Sequence, residues 1–106
     1  MAQAPLFMLG TYEVLFSFQS VKGGHTDTQP IQNPPVGTQE TTIALQAFNV
    51  EYIDKKQFGF GALQVDVSLG NARRNASCKV TLRDDTGNRT WEGTARALVT
   101  FFGTKP

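Results

Sequence analysis

Cysteine and histidine are nearly missing from this chain. One cysteine, Cys78, among 106 residues excludes an internal disulfide framework and a Cys-rich zinc site. One histidine, His25, excludes His-pair metal motifs and any mechanism built on two imidazoles. Charge of one sign is also missing. Ten basic against nine acidic residues leave a net charge of +1, without the Lys/Arg excess that a nucleic-acid surface normally carries. No nucleic-acid partner is expected. No apolar run approaches the roughly 18–20 residues of a membrane span, so no membrane insertion is expected. The first residues, Met1-Ala2-Gln3-Ala4-Pro5, carry no basic segment, and Leu6–Leu9 is too short for a signal-peptide core. The expectation is a chain without a signal peptide or transmembrane segment, its compartment left open. No stretch shows a capped helical stripe of 11 residues or more.

What is present is alternation. The 40% apolar content suits one packed domain over residues 1–106. Tyr12, Val14, Phe16 and Phe18 alternate with polar neighbours. So do Leu63, Val65, Val67 and Leu69, and again Cys78, Val80 and Leu82. Period two over 4–8 residues marks half-buried strands. Twelve Thr and eight Phe add residues favoured on pleated surfaces. In Thr42–Asp54 the apolar phase shifts near Ala47-Phe48, which predicts a β-bulge or a strand bent between sheets. The last strand, roughly Thr94–Phe102, is apolar on both faces. Leu98 and Phe102 occupy the second face, which predicts either a central position or an oligomer interface there. Asp84-Asp85-Thr86-Gly87-Asn88 reads as a tight turn with Gly87 at positive φ. Val21–Glu40, with Gly23-Gly24, Pro30, Pro34-Pro35 and Gly37, reads as a Pro/Gly-rich loop at about 21–41, with room for a short edge strand near Pro30–Gln32. The resulting fold class is all-β, an antiparallel β-sandwich of about six strands in a single domain.

Chemistry-bearing residues are sparse. Cys78 lies on the apolar phase of a strand and reads as a buried structural thiol, since reactive thiols need an electropositive, accessible setting. His25 reads as a loop residue. Glu13, Glu51 and Asp66 fall on polar strand phases, and Asp84-Asp85 on a turn, where Asp bonds its own backbone. Phe58-Gly59-Phe60-Gly61 reads as a Gly-bent strand entry. No catalytic residue, cofactor or metal is expected, and the chain is read as non-enzymatic. Trp91 stands out because it follows a polar turn and is flanked by Arg89, Thr90, Glu92 and Gly93. A Trp offers a broad apolar face and one donor, suited to stacking on a sugar ring or anchoring an interface. In that reading Trp91 stacks, and Asp85, Asn88 and Arg89 bond sugar hydroxyls. The competing reading places Trp91 in the core at a strand start.

The order Phe48-Asn49-Val50-Glu51-Tyr52-Ile53-Asp54, then Leu63–Leu69, then Val80-Thr81-Leu82-Arg83-Asp84-Asp85-Thr86-Gly87-Asn88, then Gly93 before the terminal strand, resembles H-type-lectin-like domains. The resemblance spans about residues 42–103 and rests on hydrophobic pattern plus the Leu-Arg-Asp turn. It implies a small six-stranded antiparallel sandwich, assembly as a trimer or hexamer, and sugar sites near subunit boundaries. No sugar-contacting residue of the family is carried onto this chain. The expected function is a non-catalytic, oligomeric, lectin-like binding module with a glycan ligand. The alternative is a structural or assembly protein, such as a viral or phage particle component.

Overall fold

The computed structural model describes residues 6–53, 60–70, 74–84, 86–87 and 89–104. Five strands are seen among them: β1 (Phe7–Pro30), β2 (Thr38–Tyr52), β3 (Phe60–Leu69), β4 (Asn75–Asp84) and β5 (Thr90–Gly103). All pairings are antiparallel. They form one sheet in the order β2-β5-β1-β4-β3. Its two edge strands, β2 and β3, approach each other, so the sheet is nearly closed into a barrel. The all-β, antiparallel class therefore holds. The expected six-stranded sandwich is corrected to a five-stranded sheet. One 24-residue strand, β1, serves both halves, where a short strand around Tyr12–Phe18 followed by a Pro/Gly-rich loop was expected.

That strand also corrects the expected 21–41 loop. Val21–Pro30 is the second half of β1, paired with β4 from Gly23↔Leu82 to Pro30↔Asn75. The first half pairs with β5 from Phe7↔Gly103 to Lys22↔Thr90. Only residues 31–37 remain as connection before β2. The sequence disguised the strand for a physical reason. Opposite the buried Cys78 and Ala76 stand Asp27 and Gln29, both half-buried, so the inward phase of this stretch is polar.

The corner in β1 is built from a bulge and two residues at positive φ. The register with β5 shifts between Phe18 and Val21. Ser20 sits at φ 52 and Gly23 at φ 62. A non-glycine residue in this left-handed region costs roughly 1–2 kcal/mol. The bulge bends and twists the strand sharply enough to change sheet halves. The two halves are then tied together. The Ser17 N–H donates to Asp27 Oδ2 at 3.0 Å. Gln29 Nε2 donates to both Asp27 oxygens, at 3.2 and 3.1 Å.

Alternation places the core inside this curl. Val14, Phe16 and Phe18 of β1 are buried with Ala95, Ala97, Val99 and Phe101 of β5 and Ala76, Cys78 and Val80 of β4. Ile31, from the short connection, joins them, and its N–H donates to the Arg74 carbonyl at 2.8 Å. The predicted phase shift in β2 appears as a register break between Leu45 and Ala47. Gly87 has φ 74, as its turn requires.

Candidate functional site

Trp91 is the residue expected from the sequence to stack on a sugar ring. Its register opposite Val21 and Tyr52 puts it on the inner face of β5. The residue is 0% exposed. Phe18 packs on it with ring centroids 5.3 Å apart. The indole Nε1–H donates to the Gly23 carbonyl at 2.9 Å, which satisfies its one polar atom. This corrects the stacking expectation: a ring with no exposed face cannot stack on a ligand. The core reading of Trp91 is the one the fold realises. The polar flanks misled because Arg89 and Thr90 are approach residues, while the corner of β1 closes over the ring from far away in sequence.

The other expected sugar contacts separate. Asp85 and Asn88 lie outside the described residues. Arg89 is about half exposed, and its Nε lies 3.4 Å from Asp84 Oδ2. Asp84 is the buried anchor of the turn. Its Oδ1 accepts the N–H groups of Thr86 (3.1 Å) and Gly87 (2.8 Å) and the Thr86 hydroxyl (2.9 Å). Burial alone would raise the Asp84 pKa. The hydrogen bonds from Thr86 and Gly87, with the Arg89 cation, outweigh it and hold the carboxyl below the usual carboxylate range. Asp84 and Arg89 thus lock a turn.

His25 is on β1 rather than in a loop, exposed, with its ring edge 6.0 Å from Phe18. Cys78 is fully buried, as expected. Among the described residues no three His, Cys, Asp or Glu side chains converge as a metal site would require.

The concavity with usable chemistry lies elsewhere, across the outer face of β1, β5 and β2. The register aligns Ser17, Thr94 and Asn49 in one row, and Glu92 with Glu51 in the next. Gln19, displaced by the β1 bulge, completes a groove of about 280 Å³ that also touches Phe18 and Gly93. Two hydroxyls, two amides and two carboxylates therefore face one hollow, and all six residues are exposed. A smaller hollow of about 150 Å³ shares Asn49 and Thr94 and continues over Leu15, Ala47, Phe48 and Arg96. Phe48 is 45% exposed and Leu15 56%. The combined surface is polar at one end and apolar at the other.

Sequence reasoning missed this groove because no contiguous motif encodes it. Ser17, Asn49 and Thr94 meet only once β5 is seated between β1 and β2. The available signal was weak: polar residues on the outer phase of three strands, beside a glycine, Gly93. Leu98 and Phe102 lie on the same outer face, each partly exposed, on a strand that is central in the sheet. No protein-family model, curated protein or solved structure matches this chain.

Proposed function

We propose that the protein is a non-catalytic binding module that works as a homo-oligomer and takes a carbohydrate in the groove across β1, β5 and β2. The observation that carries this reading is the two-ended lining of that groove. Ser17, Gln19, Asn49, Thr94, Glu51 and Glu92 offer donors and acceptors matched to vicinal hydroxyls. The adjoining Phe48 and Leu15 offer apolar surface for the C–H face of a sugar ring. A small set of polar groups beside apolar surface is the common build of ligand sites. The lectin-like resemblance points to the same ligand class.

A glycan array followed by titration of the best ligand tests it. We expect Asn49→Ala and Thr94→Lys each to weaken binding at least tenfold while melting within about 3 °C of the parent, since outer-face changes rarely exceed 0.5 kcal/mol. Retained affinity in both variants, or no glycan captured at all, would sink the reading.

A second reading, a structural or particle-forming protein, is favoured by shape. The chain measures 58 × 25 × 20 Å, with a radius of gyration of 17.3 Å, against roughly 13 Å for a compact chain of this length. Assembly size separates the two: small closed rings suit a multivalent binder, and open or very large particles suit a structural role.

A further inference from the structure

The first half of β1 is attached to the sheet on one side only. Phe7–Lys22 ladders with β5, and the ladder with β4 begins at Gly23. Within the β2–β5–β1 half this segment is therefore an edge strand. Its covalent link to the other half runs through the corner. That corner is narrow: Phe18 pairs with Gly93 and Val21 with Trp91, and the register passes over Gln19 and Ser20. Ser20 is held at φ 52. A serine resists that region because its Cβ crowds the following carbonyl. An extended Ser20 is free of that strain.

The contacts of the arm Phe7–Phe18 do not depend on which chain supplies it. Phe16 and Phe18 fill the core beside Ala95 and Ala97, and Phe18 packs on Trp91. The bond across the corner, Ser17 N–H to Asp27, joins the arm to the body. It can form between two copies as readily as within one. The bond from Trp91 to the Gly23 carbonyl lies wholly in the body, so opening the corner leaves it in place.

We propose that two copies of this chain exchange the arm. Gln19 and Ser20 open to an extended link, and Phe7–Phe18 of each copy lies along β5 of the other. Exchange of an identical element re-forms the native contacts everywhere except the hinge, which makes it a low-cost route to a dimer. A short hinge under strain favours it. Exchange also builds the groove from two chains, with Ser17 and Phe18 from one copy and Asn49, Glu51 and Thr94 from the other. The inference gives the homo-oligomer of the proposed function its contact and needs no ligand.

The double variant Thr11→Cys/Thr100→Cys tests it. Thr11 and Thr100 are ladder partners on β1 and β5, and the roughly 4.5–5.5 Å between such Cα atoms is a span that a disulfide bridges. The chain is refolded under reducing conditions at high concentration, then oxidised, alkylated in denaturant and run on a denaturing gel. Exchange gives chains linked in pairs, well above the background set by Thr11→Cys alone. Cys78 is buried on β4 and stays out of the reaction.

Light scattering reads the hinge. Ser20→Gly relaxes the closed corner and should raise the dimer dissociation constant at least tenfold. Ser20→Val, whose β-branch resists positive φ, should lower it by as much. Circular dichroism checks that each variant is folded; should Ser20→Val fail, the gel and Ser20→Gly decide. A parent that refolds only to single chains overturns the inference. So does a dimer whose paired cysteines link only within one chain, or a dissociation constant that Ser20→Gly leaves unchanged or lowers. No ligand enters these measurements. Failure of carbohydrate binding leaves the exchange intact, and a parent without exchange leaves the groove titration intact.

Discussion

Burying the Trp91 indole removes roughly 150–250 Å² of aromatic surface from water, which stabilises by several kcal/mol at about 25 cal/mol per Å². The gain is kept only because Nε1–H finds the Gly23 carbonyl. Trp91→Phe retains most of the apolar burial but strands that carbonyl, at a cost of roughly 1–3 kcal/mol. Thermal denaturation should therefore show a melting temperature lower by at least about 4 °C, with ligand affinity at the outer groove unchanged. A fall in affinity without a fall in melting temperature would return Trp91 to the binding site. Asp84 is the second residue whose role is set by its partners. Its pKa is lowered in the folded chain, so the stability it contributes is present above the ordinary carboxylate pKa of about 3.9. That contribution is lost as the pH falls through the lowered folded value. The gap in melting temperature between the parent and Asp84→Asn should be open at pH 6 and close on acidification below about pH 4. A gap independent of pH would mean that the carboxylate charge contributes nothing.

At the scale of the element, β5 organises the first half of the sheet because it lies between β1 and β2 over nearly its whole length. Its inner phase is dominated by small residues, Gly93, Ala95 and Ala97, which lets the flanking aromatic Phe16 and Phe18 fill the interior. Gly93 sits where the β2 backbone runs close against β5. A Cβ there would collide with the Asn49 carbonyl and lie 2.7 Å from Val50 Cα, both backbone atoms that cannot swing aside. Gly93→Ala is therefore expected to destabilise by roughly 1–3 kcal/mol, as overpacking does, and to distort the adjoining groove. Chemical denaturation reads the first effect and ligand titration the second; a neutral result on stability would show that β2 can slide off β5. The β1 strand teaches the complementary lesson. Tyr12 to Phe18 was legible as a strand because its inward residues are apolar. The stretch after the Ser20 bulge was not, because Asp27 and Gln29 face inward and satisfy each other and the Ser17 N–H.

For the whole molecule, the near-closure of the sheet decides what can be reached from solvent. Cys78 sits in the middle of β4, fully buried. Burial, then the negative charges of Asp27 and Asp66, push its thiol up to about 11. The thiolate is therefore scarce at neutral pH, and the sulfur is sealed behind β1 and β3. A disulfide-forming thiol reagent at pH 8 should modify Cys78 only as fast as the chain unfolds globally, and at once in denaturant. Complete labelling of the folded chain within seconds would show that β4 opens locally.

The sequence by itself determined the strand class, the inward and outward phases of most strands, the β2 register break and the Asp84–Gly87 turn. Each depends on local chemistry: period-two burial, a phase slip, and a carboxylate next to its own backbone. Tertiary structure decided the rest. Which strands are neighbours depends on pairings between residues far apart in the chain, such as Ser17 with Thr94 and Asn49 with Thr94. The burial of Trp91 depends on a carbonyl 68 residues away, and the groove exists only where three separate strands lie side by side. Local alternation states which side of a strand avoids water. Only closure of the sheet states what the other side faces.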